Sequence, residues 1–138
     1  MDIIDIKEML EAAIKERDAR KCMSRQKIIA IPTQEQMYNV ADTKEETPPA
    51  REGSNWDDYW KFHTGDPFPL HCASCDQPIG RADRKGVHIR LHDERNNTKH
   101  AWIAICCSSC NKRKGKIPLL KDSKIVETVM TKPHPNYK

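Results

Sequence analysis

The sequence contains no run of about 20 apolar residues, so nothing in it reads as a membrane-spanning helix. Its start, "MDIIDIKEML", carries acids where a secretory leader needs basic residues, and no long apolar stretch follows. Aromatic residues make up only 6% of the 138 residues and hydrophobic residues 37%, which leaves little for a large core. There is no internal repeat, and no low-complexity tract beyond residues 41–55. These absences point to a cytoplasmic, reducing setting. There, the six cysteines of a chain with a thin core are expected to bind metal rather than pair as disulfides.

The net charge of +4 conceals an asymmetry. Residues 1–60 carry 9 basic and 13 acidic side chains, whereas residues 80–124 carry 12 basic and 4 acidic. The positive field therefore sits on the segment that holds the paired cysteines. This suggests a polyanionic partner, nucleic acid and most simply DNA; a merely solvated surface is the plainer alternative.

Residues 2–21 read as an amphipathic helix, with Ile3, Ile6, Leu10 and Ala13 at three- and four-residue spacing and Met9 and Ile14 widening the stripe. Asp2 and Asp5 suit its N-terminal end and Arg20 and Lys21 its C-terminal end. The apolar stripe over residues 3–14 must be covered by the rest of this chain, by a second copy or by a protein partner. "KIIAI", Lys27 to Ile31, reads as a short strand ended by Pro32. The stretch 41–54, with Pro48, Pro49 and Gly53, reads as an exposed linker.

"SNWDDYWKFHTG" reads as a helix capped by Ser54 or Asn55 and closed by Gly65. Trp56, Tyr59, Trp60 and His63 share one face of it, as a core face or, alternatively, as a platform for stacking bases. The organisation expected is an N-terminal helix with a short extension over 1–40, a linker over 41–54, a metal-binding domain over 55–124 and a tail over 125–138.

"CASC" and "CSSC" set Cys72 and Cys75 against Cys107 and Cys110, with 31 residues between the pairs. A two-residue gap lets both thiolates of a pair reach one ion, and four soft thiolates close a tetrahedron around zinc. Such a closed site holds no open position for water, so the zinc is expected to be structural. Cys106 competes for the third position. Cys107 is preferred because Cys106 continues the apolar alternation of "HAWIAI" and can pack inward as a small hydrophobe.

Between the pairs, "GVHIRL" alternates with Val87, Ile89 and Leu91 on one side and His88, Arg90 and His92 on the other. "DERNNTK" is rich in turn formers and "HAWIAI" returns, so the segment reads as a hairpin. The second pair then opens a short helix closed by Gly115, with Lys112, Arg113, Lys114 and Lys116 in a basic turn. A knuckle, a β-hairpin and a short helix make an α+β domain of treble-clef type.

"CASCDQP", "GVHI" and "CSSCNKRKG", in that order, resemble the HNH endonuclease superfamily, in the subgroup whose ββα-metal core is braced by a four-cysteine zinc. The resemblance covers about residues 70–116. It implies phosphodiester cleavage with one divalent metal, with His88 at the position of the general base and Asn111 in a family-like place on the helix. The pattern departs from the family at Val87, where an acidic neighbour is expected, and at Ala101, Trp102 and Ile103, where the hairpin asparagine is expected.

A hard cation wants a carboxylate that this strand does not offer, but a second, zinc-like divalent metal could use His88 and His92 with His100 across the hairpin and Asn111 on the helix. Surface histidines are the simpler expectation. The function expected is therefore a zinc-stabilised HNH-like protein that binds nucleic acid, or a complex on it, without strong cleavage, with Arg90 and the basic turn on phosphates. Two alternatives stand beside it. One is an active HNH endonuclease using His88. The other is a phage or mobile-element protein acting on a host complex through residues 3–14.

Overall fold

The computed structural model describes residues 26–94 and 96–138. The helix expected over 2–21, with its partner-facing stripe at 3–14 and Cys22, lies outside these residues. The described chain is mixed α/β, dominated by one antiparallel sheet. Its strands are β1 (Ile28–Ala30), β2 (Glu35–Asn39), β3 (Arg84–Leu91), β4 (His100–Cys107), β5 (Lys116–Leu119) and β6 (Lys124–Val129). The longer helix is α1 (Trp56–Thr64), and α2 (Ser108–Asn111) is a single turn.

The sheet order is β1-β6-β4-β3-β2-β5. A flat sheet in this order would hold β5 and β6 about 19 Å apart, four spacings of roughly 4.8 Å. Yet a turn joins them, closed by the Ser123 N–H on the Leu120 carbonyl at 3.2 Å. The sheet must therefore roll, and it brings its two edges to one corner. There the Ile31 N–H donates to the Ser123 carbonyl at 2.9 Å and the Asp122 N–H to the Ile31 carbonyl at 2.7 Å. The concave side encloses a core built from Met37, Val87, Ile89, Trp102, Ile117 and Ile125.

Helix α1 covers the outer face of β4 and β6. Asn55 caps it by accepting from the Asp58 N–H at 2.9 Å, and Gly65, at φ 68°, ends it. Its aromatic face turns inward, and each ring is also fastened by its polar atom. Trp60 Nε1 donates to the Lys124 carbonyl, Tyr59 Oη to the Glu127 carbonyl and Trp56 Nε1 to the Glu46 carbonyl. Tyr59 and Trp60 are buried, so this face belongs to the core and is no stacking platform. Gly86 permits the close approach of α1 to β3, because a Cβ there would lie 2.3 Å from the Trp56 carbonyl carbon.

Three expectations about organisation change. The stretch 41–54 is not an exposed linker, because Glu46 and Glu52 are buried within it. Glu46 accepts from the Thr131 backbone and hydroxyl, and Glu52 pairs with His63. The segment after residue 124 is not a tail, because β6 lies between β1 and β4. Likewise β2, from the stretch expected as an N-terminal extension, pairs with β3 and β5. In each case the contact crosses many residues of sequence, which local patterning does not register.

Candidate metal centre and basic turn

The first cysteine pair lies in a tight loop before the hairpin. The Cys72 N–H donates to the Gln77 carbonyl, the Asp76 N–H to the Cys72 carbonyl, and Asp76 takes a positive φ of 61° to close the turn. The Ala73 N–H donates to the Ile105 carbonyl, which pins this loop to β4. The second pair follows directly from β4. Cys107 ends the strand and caps α2, its Sγ accepting from the Cys110 N–H at 3.5 Å. The Asp83 carboxylate accepts the Ser108 N–H at 3.2 Å, tying the start of α2 to the loop before β3.

Cys72, Cys75, Cys107 and Cys110 place one Sγ each within 4.8 Å of one another. Cys75 and Cys107 lie 3.8 Å apart, and all four are free thiols. A disulfide needs about 2.05 Å. A tetrahedron with Zn–S bonds of about 2.3 Å has edges near 3.8 Å. The spacing thus suits four thiolates around one metal ion such as zinc. Backbone N–H groups of Ser74 and Cys107 reach the Cys72 Sγ at 3.4 and 3.3 Å and can stabilise its negative charge.

The competition between Cys106 and Cys107 resolves at this cluster. Cys107 belongs to the four, and Cys106, fully buried, packs in the concave core. Cys106 still acts on the site. The Cys106 thiol beside Cys72, with the backbone donors, draws the Cys72 thiol well below its ordinary range against the effect of burial. The same contact, with burial, pushes Cys106 well above the ordinary thiol range, so it remains a neutral thiol.

The histidines do not converge. Register decides this: His88 pairs with Ile103 and Val87 with Ala104. Directly paired residues share a face, so His88 and Arg90 lie on the face of Ile103, whereas His100 lies on the face of Trp102. His88 is 4% exposed, its ring 4.5 Å from that of Trp56, and its Nε2 is buried without a hydrogen-bond partner. Burial lowers its pKa to about 4. His92 meets the Tyr38 hydroxyl at 3.1 Å through Nδ1, and His100 pairs with Glu127 at 2.9 Å. Asn111 accepts from the Lys138 ammonium. Among the described residues, the four cysteines are the one group of metal-ligating side chains close enough to share an ion.

Arg90 also departs from expectation. It is fully buried, and its guanidinium donates to the carbonyls of His100, Thr98 and His134 at 2.6–2.7 Å. It binds backbone, not an external phosphate. Lys112, Arg113, Lys114 and Lys116 are all exposed. The turn that carries them is held from below by Asn39, whose Nδ2 donates to the Cys110 carbonyl at 2.7 Å and the Arg113 carbonyl at 3.0 Å. Asn39 lies 71 residues from Cys110 in sequence and gave no local signal of this role.

No family model, curated protein or solved structure matches this chain. The HNH resemblance is thus matched by none of these comparisons, and the four-cysteine group stands on its geometry. No helix among the described residues is long and apolar enough to cross a membrane.

Proposed function

We propose that this chain is a zinc-stabilised module of treble-clef type that binds nucleic acid through its basic turn and does not cut it. One observation carries the reading: Cys110, the last of the four clustered cysteines, leads directly into the exposed run Lys112, Arg113, Lys114 and Lys116. A metal at the cysteines would fix the base of that turn, and Asn39 braces it from beneath. Residues 111–118 hold no acidic side chain, so the turn itself is uniformly basic. The order of knuckle, hairpin and helical turn supports kinship with the HNH fold. The burial of His88 beneath Trp56 supports binding over cleavage, because a general base must reach a water.

The test combines metal content with salt-dependent binding. The purified chain is expected to hold one zinc, lost in Cys72→Ser, and to bind DNA with an affinity that falls steeply with salt. Changing Lys112, Arg113 and Lys114 together to Gln should flatten that salt dependence by about three phosphate contacts. An unchanged slope refutes the assignment of the turn. Metal-dependent nicking of supercoiled plasmid that vanishes in His88→Ala refutes the non-cutting reading.

A further inference from the structure

The outer face of the sheet beyond α1 carries a second feature beside the basic turn. Tyr38, on β2, stands directly opposite Lys116 on β5. Tyr137 bridges to Val40 and so shares that face, with its ring 5.0 Å from the Tyr38 ring. His92 closes the group, its ring 5.8 Å from Tyr38 and its Nδ1 holding the Tyr38 hydroxyl at 3.1 Å. All three rings are half-buried. Each residue is thus held by the fold and partly exposed.

Basic residues flank Tyr38 and Tyr137 on two segments, the basic turn and residues 131–138, whereas His92 is followed by Asp93 and Glu94. The Gly115 N–H donates to the Lys138 carbonyl at 2.9 Å, and the Lys138 ammonium to the Asn111 carbonyl at 2.7 Å. The segment that carries Tyr137 is thereby fastened to the basic turn. Residues 131–138 contain Lys132 and Lys138 and no acid, as residues 111–118 contain four basic residues and no acid. Buried Arg90 lies behind Tyr137, its guanidinium carbon 5.6 Å from the ring centre.

From this juxtaposition of oriented rings and an exposed basic turn, the geometry points to single-stranded nucleic acid as the ligand, its unpaired bases stacking on Tyr38 and Tyr137 while Lys112 to Lys116 hold its phosphates. The chemistry of the two parts is complementary. Rings accept the face of any base, so they add affinity without demanding sequence, and they are useless to a duplex whose bases are already stacked. Cations beside them track the backbone charge. The fixed ring positions reduce the ordering that binding must impose. This inference rests on the nucleic-acid reading and adds the strandedness of the ligand and the residues that select it.

The experiment uses the full zinc-loaded chain and fluorescence anisotropy. The probes are labelled oligothymidylate, labelled oligouridylate, and a DNA hairpin duplex of equal phosphate number, all at one low salt concentration. The expected result is tighter binding to at least one single strand than to the duplex. Tyr38→Leu and Tyr137→Leu are each expected to weaken single-strand binding about tenfold, and Tyr137→Phe, which keeps the ring, to retain it. Melting curves and zinc content establish that each variant is folded. Duplex bound as tightly as single strand, or folded leucine variants that bind single strand like the parent, overturns this inference but not the basic-turn reading. Absence of binding to every probe overturns both.

Discussion

His88 makes the stability of this protein sensitive to acid, and the size of the effect follows from its surroundings. The ring is buried under Trp56, and the charges of His134, Arg90 and Lys138 oppose its protonation, with Glu46 partly offsetting them. Its pKa falls from 6.5 to about 4. A lowered histidine pKa means that the unfolded chain takes up its proton first. The contribution of the neutral ring is therefore intact above about 6.5 and is lost as pH falls from there toward 4. A shift of this size is worth about 3 kcal/mol over the window, or roughly 1.4 kcal/mol per pH unit, a large share of a typical folding free energy.

The assay is urea unfolding from pH 7 to pH 4.5, with zinc held constant, for the parent chain and His88→Gln. Thiolate protonation at the cysteines and the three buried or half-buried His–Glu pairs, His63–Glu52, His100–Glu127 and His134–Glu46, are common to both proteins. The His63–Glu52 and His100–Glu127 pairs drop out of the comparison, and the difference reads His88 together with its coupling to His134 and Glu46. The parent should lose about 2–3 kcal/mol more than the variant between these pH values. Parallel loss of stability in the two proteins would refute the burial argument for His88.

Two further outcomes test the packing. Gly86→Ala sets a Cβ 2.3 Å from the Trp56 carbonyl carbon and 2.4 Å from the Asp57 nitrogen, both backbone atoms that cannot step aside. A loss of about 1–3 kcal/mol or more, read as a lowered thermal midpoint, is expected. Arg90→Met leaves the carbonyls of His100, Thr98 and His134 without their donor and should cost about 3 kcal/mol or more in chemical unfolding. A folded Arg90→Met that instead weakens DNA binding and keeps full stability would restore Arg90 to the phosphate-contacting set.

Local chemistry was readable where the interaction itself is local. A C-x2-C pair can reach one ion across two residues, so Cys72, Cys75, Cys107 and Cys110 could be chosen before any fold was known. Ser54 or Asn55 and then Gly65 marked the ends of α1 because a cap acts on the turn beside it, and Asn55 is the cap in the structure. The alternation of β3 and β4 gave the hairpin because the strand period is a property of the backbone. Alternation then misled in one respect. It assigned His88 and Arg90 to a polar, outward face, and that face is outward in register but covered by α1 and the segment around His134.

A one-dimensional pattern states which residues share a face and is silent on what lies over it. The sequence by itself thus determined the cysteine set, the capped helix, the hairpin and the basic turn, each of which leaves a pattern a few residues long. Only the tertiary structure decided that β1, β2, β5 and β6 complete one rolled sheet. It also decided that Arg90 ties backbone together, that Asn39 braces the basic turn, and that Tyr38 and Tyr137 stand beside it. Those relations join residues up to about a hundred positions apart. They arise because a sheet that must bury its apolar face rolls up and carries distant segments onto one surface.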